Sequence, residues 1–582
     1  MANDHVVLGK NANALFSLKL FRGDGMLLLG MNWKVGTPSD DFVGFSIEYK
    51  EPGGDRFFAL SNRIAFPGVD LTKTPNEASS LRSPFQKFRW VHFPFHPELP
   101  GEYTYKVKPV FMDAAGQLSY GEAQTAGIEL RRETWPGELN VTFTRGFVSS
   151  QAFVRKFGGQ AAMKSLIPKS AKDGLTFDPK PPHPTAKEAY DWMGFEARNA
   201  ILEVLDDAIK DKTAKVRFVG YDLNLPEIVD RLKQLKKRVR VIIDSSSEHF
   251  DAGAAENTAA DEIVLSAGAK NVKRQKMGAL QHNKMIVVEG DSIKRVVCGS
   301  TNFSWRGFFI QNNNAIILSG QKSVDVFGKA FEEYWKATDG SDGAESYGLT
   351  GTGEWQDLGL PSVDAKATFS PHARANARLD EIAKDLTDNT KSSLFFSLAF
   401  LYQTSGSLRD GVTAVTLDDS IFVIGISDHP VKGLDVQTPD GNWTTMSPSA
   451  LVSNVPEPFK SEPTGLAGNF GTRMHHKFLV IDFDKPTARV YMGSYNFSPP
   501  ADTSNGENLL LIKDRRVATS YMVQALSMFD HYQFRILQNA ANKAGDKITL
   551  KLPPRLAGEE PWWKKDYIDP RRIKDRLLFS NG

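Results

Sequence analysis

The chain has 582 residues, 41% hydrophobic and 24% charged, the composition of a soluble globular protein of roughly three to four domains. The formal net charge of +2 gives no overall preference for polyanions, and the single cysteine, Cys298, excludes an intramolecular disulfide framework. No secretory signal and no apolar run of about 18 residues is visible, so we expect a soluble, cytoplasmic protein, although a signal-independent export route would leave no trace.

Residues 1–132 are predicted to form an all-β sandwich, because short alternating segments are separated by turns. Phe45–Tyr49 and Tyr103–Lys108 alternate apolar or aromatic residues with polar ones. Three Pro-Gly pairs mark turns, at residues 52–53, 67–68 and 100–101. The stretch Leu99–Tyr105 resembles the tyrosine-corner region of fibronectin type III or immunoglobulin-like domains. We expect a structural or docking module here.

The rest of the chain repeats one α/β pattern. In the first copy the predicted helices and strands are Glu196–Lys210, Val216–Gly220, Glu227–Lys236 and Val239–Ile243. In the second copy the same order recurs at Leu379–Leu386, Leu394–Ala399, Ser407–Leu417 and Ile421–Ile426. Helices that alternate with continuous apolar strands predict two α/β lobes, each a mixed sheet covered by helices.

We place the two lobes at residues 133–345 and 346–582, with the boundary in a glycine-rich stretch, 339–359. A second polar stretch, 164–187, is rich in proline. We interpret it as a solvated connector, with a loop at the mouth of an active site as the alternative.

Each lobe carries the same short motif. Its two copies are His282-Asn283-Lys284 with Glu289, and His475-His476-Lys477 with Asp482. The turns Gly299-Ser300-Thr301-Asn302 and Gly493-Ser494-Tyr495-Asn496 follow. Residues two apart on a strand point to one face, so each histidine is expected beside its lysine, and His476 is interpreted as structural. Two matched copies predict one active site built from two halves.

These residue types suit phosphodiester cleavage by covalent catalysis. One histidine would attack phosphorus and form a phosphohistidine, and the other would protonate the leaving oxygen and then activate water or an alcohol. The lysines, together with hydroxyls and amides from the turns, would stabilise the pentavalent phosphorus. We expect no metal, because each histidine is paired with a cation rather than with further ligands. The predicted phosphate-binding residues are Ser300, Asn302, Ser494 and Asn496.

The two motifs resemble the HKD signature of the phospholipase D superfamily, His-x-Lys-x4-Asp followed by Gly-Ser-x-Asn. The resemblance covers residues 141 to 582 and includes the phrase Thr144–Gln151, which is similar to one found upstream of the domain in some bacterial members. It implies a bilobal fold with pseudo-twofold symmetry, a ping-pong mechanism and chemistry without a metal or other cofactor. Glu289 departs from the pattern that Asp482 keeps; because this acid is expected to be structural, glutamate should be tolerated.

The two histidines are predicted to differ in role. The family often carries an acid, shortly after Gly-Ser-x-Asn, that orients the catalytic histidine. Glu507 and Asn313 stand at the corresponding positions, 11 residues after the turn asparagines. Pairing within each copy would give His475 a carboxylate, which favours its protonated form, and His282 an amide. This pairing predicts His282 as the nucleophile and His475 as the general acid and base.

The leading functional prediction is a monomeric phospholipase D that hydrolyses phosphatidylcholine to phosphatidic acid and choline, with transfer to small alcohols. Two motifs in one chain favour this activity over the small nucleases of the family, which carry one motif and dimerise. The expected partner is a phospholipid membrane surface. The segment Pro561–Lys565 combines two tryptophans with two lysines, which would suit an interfacial anchor, although a C-terminal segment packed on the lobes is the interpretation we favour.

The alternative is a nuclease or another phosphodiesterase of the same superfamily. The basic run Arg231–Arg240 would supply a stripe for nucleic acid. Such a run on an amphipathic helix is more often a solvated face, and the net charge near zero argues against DNA. A third interpretation, a non-catalytic adhesion or effector module, is disfavoured by two complete His/Lys pairs. No calcium-loop motif is visible.

Overall fold

The computed structural model describes residues 5–130, 133–146, 157, 165–178, 186–340, 348–429, 431, 434, 445–446 and 474–580. The chain forms two compact units. One contains residues 1–132, 519–530 and 537–582, and the other contains residues 133–518 and 531–536. Parts of three predicted segments lie outside the described residues: 147–151 of the upstream phrase, 341–347 of the lobe boundary, and 164 and 179–185 of the proline-rich stretch.

The first unit consists mainly of antiparallel sheets. Its strands are β1 (Val6–Leu8), β2 (Phe16–Gly23), β3 (Met26–Trp33), β4 (Phe42–Lys50), β5 (Phe58–Ala59), β6 (Arg89–His92), β7 (Glu102–Met112), β8 (Leu118–Tyr120) and β9 (Gln124–Glu129). One sheet has the order β1-β2-β3-β6, and the other has the order β5-β4-β7-β8, with β9 also pairing with β7. Alternate residues of both sheets share one apolar core, which the two-residue period of the strands produces. The predicted all-β sheets are confirmed.

Tyr103 makes the hydrogen bonds expected of a tyrosine corner. Its hydroxyl is near the start of β7 and donates to the carbonyl oxygens of His96 and of Leu99, the latter at 3.3 Å. These bonds tie the strand to the loop before it. The assignment of the unit to the fibronectin type III or immunoglobulin-like class stays a prediction.

The tryptophans near the C-terminus belong to the core of this first unit. Trp563 is only 7% exposed, and its indole N–H donates to the carbonyl of Ser39 at 3.2 Å. Trp562 stacks on Phe88, with ring centroids 5.2 Å apart, and donates to the carbonyl of Phe42 at 3.0 Å. The interpretation as an interfacial anchor is therefore wrong. Large aromatic rings with one polar atom gain more from burial against an apolar core that offers backbone acceptors.

The second unit begins with the first lobe. Its elements are β10 (Leu139–Phe143), α1 (Ala186–Lys210), β11 (Lys215–Gly220), α2 (Pro226–Leu235), β12 (Val239–Ile243), α3 (Ser247–Phe250), α4 (Ala255–Ala267), β13 (Val272–Arg274), β14 (Met285–Glu289), β15 (Lys294–Gly299), β16 (Asn314–Ser319) and α5 (Gln321–Lys336). The strand order is β10-β16-β15-β14-β11-β12-β13. Apolar faces of α1, α2 and α4 cover the strands in one core.

The second lobe repeats this plan. Its elements are α6 (Leu349–Thr352), β17 (Gln356–Asp357), β18 (Asp364–Ser370), α7 (Leu379–Asn389), β19 (Ser393–Leu398), α8 (Ser407–Leu417), β20 (Phe422–Ile426), β21 (Thr445–Met446), β22 (Lys477–Ile481), β23 (Arg489–Gly493), α9 (Pro499–Thr503), β24 (Glu507–Lys513) and α10 (Arg515–Lys543). The order is β17-β18-β24-β23-β22-β19-β20-β21.

Strand directions match as well as strand order. In the first lobe β11 pairs with β12 in parallel and with β14 in antiparallel, and in the second lobe β19 pairs with β20 and β22 in the same way. The motif-bearing strands, β14 and β22, thus occupy equivalent positions at the centre of each sheet. This confirms the predicted duplicated α/β fold preceded by all-β sheets. Among helices of the described ranges, none is long and apolar enough to cross a bilayer.

Candidate active site

The two motifs lie at the entrances of the two central strands. His282 and Lys284 immediately precede β14, and Lys477 is the first residue of β22. Backbone bridges join each motif to the other lobe, because Gln281 pairs with Gly506 and Met474 pairs with Asn312. The loops of both lobes therefore meet where the motifs begin.

The two motif histidines face each other. The ring centroids of His282 and His475 are 6.5 Å apart, and the ring planes are inclined by 70°. Their exposed fractions are 4% and 5%. The sequence predicted that the two copies converge on one site, and the structure brings these two rings together within one unit.

Each histidine is oriented by a residue of the opposite lobe. Nδ1 of His282 lies 2.8 Å from Oε2 of Glu507, and Nδ1 of His475 lies 2.9 Å from Oδ1 of Asn313. The pairing within each copy that the spacing predicted is wrong. The two lobes exchange their orienting residues because β16 and β24 deliver them toward the facing lobe rather than toward their own motif.

These partners determine the tautomer of both rings. A carboxylate accepts hydrogen bonds, and the Asn313 amide N–H donates to the carbonyl of Gly307 at 2.9 Å, which leaves its oxygen facing His475. Nδ1 of each imidazole is therefore the donor. Within the described ranges Nε2 of neither ring makes a hydrogen bond. Nε2 is the nitrogen left for chemistry on both rings.

Two lysines flank the histidines and are buried with them. The Nζ atoms of Lys284 and Lys477 donate to the carbonyls of His282 and His475 at 2.5 and 2.8 Å. Burial lowers the pKa of Lys284 to about 8, although nearby carboxylates, chiefly Glu507, oppose the change. Burial and the charge of Lys284 lower the pKa of Lys477 well below its usual value. Among the described residues neither Nζ forms an ion pair, so two buried lysines at this place suit an anionic ligand.

The electrostatics of the two histidines differ. Burial lowers the pKa of His282, and the Glu507 carboxylate partly opposes that effect. Burial, followed by the charges of Lys477 and Lys284, lowers the pKa of His475 well below its usual value. Since only His282 has a carboxylate on its ring, it bears a positive charge at lower cost than His475.

The glycine-serine turns approach the neighbouring strands closely. Gly299 and Gly493 have φ values of 141° and 154°, and a Cβ atom at either residue would come within 2.5 Å or less of a carbonyl oxygen of Asn314 or Asn508. The Ser300 hydroxyl donates to Asn313 at 3.0 Å, so its donor is directed at the orienting amide rather than at a phosphate.

Ser494 and Ser300 each accept a backbone N–H from the strand that follows their turn. Oγ of Ser494 accepts the backbone N–H of Asn508 at 3.0 Å, which fixes the start of β24. The turn asparagines are different. Oδ1 of Asn302 and of Asn496 is buried, and within the described ranges it makes no hydrogen bond. The unpartnered atoms are acceptors, whereas a phosphate needs donors, so the phosphate-binding role of Asn302 and Asn496 stays a prediction.

The motif acids lie far from the histidines. Glu289 ends β14, about 17 Å along the strand from Lys284, and forms an ion pair with Arg217 at 3.1 Å. Asp482 follows β22 and accepts backbone N–H groups of Lys391 and Ser392 at 2.9 and 2.7 Å. Both acids anchor the far ends of their strands.

Sequence reasoning missed residues that join the two halves. The middle residues of the motifs reach across the lobes: Asn283 accepts from Asn508 at 2.8 Å, and Nδ1 of His476 lies 3.2 Å from the Asn314 amide. The partners Asn508 and Asn314 immediately follow the orienting residues Glu507 and Asn313 in sequence. The repeated Asn-Asn and Glu-Asn pairs at the starts of β16 and β24 were the available signal.

Aromatic rings were missed as well. Tyr221 packs edge-on against His282 with ring centroids 4.7 Å apart, and the Lys284 ammonium lies 4.7 Å from the same ring. Phe400 occupies the matching place beside His475 and Lys477, at 6.2 and 5.6 Å. Within the described ranges no group of three or more His, Cys, Asp or Glu side chains is arranged to hold a metal ion.

Comparison with known proteins finds a family model that matches two parts of the chain. Residues 205–335 and 451–529 match the family described as cardiolipin synthase, PLD-like domain. A 48-residue segment is 46% identical to a phospholipase D of Rickettsia prowazekii, covering 8% of this chain and 22% of that protein. The chain thus matches about a fifth of the length of this curated relative.

Solved structures show similarity of lower degree. Phosphatidylserine synthase of Haemophilus influenzae is 14% identical over 66% of this chain and 93% of its own, with a TM-score of 0.39. The phospholipase D family member Nuc of Salmonella typhimurium is 25% identical over 24% of this chain and 86% of its own, with a TM-score of 0.20. The family match shows that residues 205–335 and 451–529 are similar to a phospholipase D-like domain, which supports the superfamily that the two motifs resemble.

Proposed function

We propose that the protein is a phospholipase D that hydrolyses phosphatidylcholine to phosphatidic acid and choline and transfers the phosphatidyl group to small alcohols. The observation that carries the proposal is the pair of buried histidines. Their rings lie 6.5 Å apart, and each is fixed at Nδ1 by the opposite lobe. The two lysines beside them supply positive charge for one phosphodiester.

The reaction proceeds in two displacements. The Nε2 lone pair of His282 attacks phosphorus, the bond from phosphorus to the choline oxygen breaks, and that oxygen takes the Nε2 proton of His475. A phosphatidyl–histidine results. Water or an alcohol then attacks phosphorus, gives its proton to His475, and displaces Nε2 of His282. Choline leaves in the first step and phosphatidic acid, or a transferred phosphatidyl ester, in the second.

His282 is assigned as the nucleophile because its ring contacts Glu507 of the opposite lobe. Attack places positive charge on the ring that attacks, and Glu507 faces that ring at 2.8 Å. The general acid must begin protonated, which neither the amide partner of His475 nor the lowered pKa of its ring favours. A phosphodiester anion bound between the lysines offsets their repulsion of a proton on His475.

The basic run 231–240 does not favour a nucleic-acid substrate. Four of its six basic side chains are engaged within the first lobe: Arg231 with Asp206, Lys233 with Asp230 and Glu262, Arg238 with the carbonyls of Ala208, Asp211 and Ala214, and Arg240 with Glu332. The other two, Lys236 and Lys237, are exposed. A groove that follows a nucleic-acid backbone needs cations directed outward. The engagement of most of these cations within the lobe therefore favours a lipid headgroup over a polynucleotide.

The test is choline release from phosphatidylcholine vesicles in EDTA, with wild type, His282→Ala and His475→Ala. His96→Ala is the control, because this half-exposed histidine belongs to the first unit. We expect release by wild type and the control, loss in both motif variants, and phosphatidylethanol when ethanol is added. Folded wild type that releases no headgroup but cleaves single-stranded DNA would instead establish the nuclease alternative.

A further inference from the structure

A pair of buried carboxylates lies behind the two motifs in matching positions. Asp244 follows β12, and its Oδ1 accepts the backbone N–H of Gln281 at 2.7 Å. Asp428 follows β20, and its Oδ1 accepts the backbone N–H of Met474 at 3.2 Å. Gln281 and Met474 are the residues immediately before the motif histidines. Each carboxylate therefore holds the backbone from which one histidine projects.

The surroundings of the two carboxylates also match. The backbone N–H of Asp244 donates to Gly220 at 3.0 Å, and that of Asp428 donates to Ala399 at 3.2 Å. The residues after these acceptors are Tyr221 and Phe400, whose rings contact the motif histidines and lysines. The carboxylate, the aromatic ring and the histidine thus form one packed group that occurs twice.

A histidine lies beside the second oxygen of each carboxylate, and only that of His249 has hydrogen-bond geometry. Nδ1 of His249 lies 2.9 Å from Oδ2 of Asp244, and Nδ1 of His429 lies 3.1 Å from Oδ2 of Asp428. In the first lobe Nε2 of His249 also contacts Asp222 at 2.8 Å, and these two carboxylates raise the pKa of His249 to about 10 against the effect of burial. The His429 side chain is 44% exposed, so the second group is less enclosed.

No sequence motif marks this pair. Asp244 precedes His282 by 38 residues, whereas Asp428 precedes His475 by 47 residues. The duplication is visible only through strand topology, because β12 and β20 occupy equivalent places beside β11 and β19. A buried carboxylate that accepts a backbone N–H forms a charge-assisted hydrogen bond, which is stronger and more directional than a neutral one.

We infer that Asp244 and Asp428 are a duplicated pair of positioning residues, each of which sets the backbone, and through it the ring position, of one motif histidine. They act on separate steps. Asp244 positions the nucleophile His282, and Asp428 positions the acid His475. This inference rests on the proposed function, because it assumes that the two histidines perform different steps of one phosphodiester cleavage.

The experiment compares two substrates that share the phosphatidyl group and differ in the leaving group. Choline is a poor leaving group that needs a proton, whereas p-nitrophenolate leaves without one. The burst of first product is measured for wild type and for Asp244→Ala, Asp244→Asn, Asp428→Ala and Asp428→Asn. The asparagine variants keep an oxygen acceptor for the backbone N–H, and circular dichroism checks that each variant is folded.

We expect Asp244→Ala to slow both bursts about 100-fold, because a misplaced nucleophile affects either substrate. We expect Asp428→Ala to slow the choline burst about 100-fold and the nitrophenol burst less than about threefold, since only choline release needs the acid. The burst of each asparagine variant should be at least about tenfold faster than that of the matching alanine variant.

Loss of fold would not produce this split between substrates. Two alanine variants with the same ratio of choline to nitrophenol bursts, or asparagine variants no better than alanine, would overturn the positioning roles while leaving the proposed function intact. If an alanine variant does not fold, the ratio of the choline burst to the nitrophenol burst is compared between the two asparagine variants instead. Wild type that releases neither product would overturn the proposed function and this inference together.

Discussion

Glu507 and His282 stand 225 residues apart in the chain, yet Oε2 of one lies 2.8 Å from Nδ1 of the other. The reciprocal contact joins Asn313 to His475 across 162 residues. Because each lobe orients the histidine of the other, neither lobe alone contains a complete half-site. The two contacts are not equivalent, since one partner is charged and the other is neutral.

Replacement of Glu507 by glutamine tests that asymmetry. The amide oxygen still accepts from Nδ1 of His282, so the tautomer is kept while the negative charge is lost. We expect kcat for headgroup release to fall about 100-fold, because the positive charge that develops on the attacking ring loses its counter-charge. Glu289→Gln removes a charge at the far end of β14 and should change kcat less than about threefold. Equal effects of the two substitutions would contradict the role assigned to Glu507.

The pH dependence should report the buried lysines. The pKa of Lys284 is lowered by burial to about 8, so the free enzyme loses this ammonium charge as the pH rises through that value. A phosphodiester does not titrate in this range, and we therefore expect kcat/KM to fall above about pH 8. Lys284→Arg keeps its charge there, because a guanidinium stays protonated throughout that pH range. The kcat/KM of this variant should vary less with pH than that of wild type. A wild-type profile that is flat to about pH 10 would contradict a desolvated lysine.

The buried tryptophan should contribute stability to the first unit rather than membrane binding. Trp563→Ala removes a large ring from the core, for which we expect a loss of about 3–5 kcal/mol in the free energy of unfolding. Ile568→Ala is the control, because Ile568 is 60% exposed and should change the free energy by less than about 0.5 kcal/mol. Urea unfolding followed by fluorescence measures both. Vesicle binding reduced by Trp563→Ala without loss of stability would restore the anchor interpretation.

Local patterns predicted the elements of the two lobes well. Val239–Ile243 and Ser407–Leu417 have the same bounds in sequence prediction and structure, because apolar runs and helical spacing depend only on neighbouring residues. The helix predicted from Glu196 starts directly after a break at Phe195, whose φ of 48° and ψ of −139° are not helical. The preceding helical stretch, from Ala186, was not predicted.

The residue types of the site were predictable from the sequence, but the contacts between its two halves were not. The duplicated motifs identified both histidines and both lysines, because their residue types and spacing are local. The crossing of Glu507 to His282 depends on how two sheets face each other, and spacing along one copy pointed to the wrong partner. Asp244 was missed and the role of Trp563 was misjudged for the same reason, since their partners lie 37 and 524 residues away.

The central claim is that one site made from both lobes cleaves phosphodiesters through a covalent bond to His282. The most direct test is to quench a reaction with phosphatidylcholine at alkaline pH during the first turnover, digest the protein, and map the phosphorylated peptide by mass spectrometry. We expect a phosphatidyl or phosphate adduct on His282 in wild type and none in His282→Ala. An adduct on His475, or turnover with no histidine adduct at any time, would contradict the central claim.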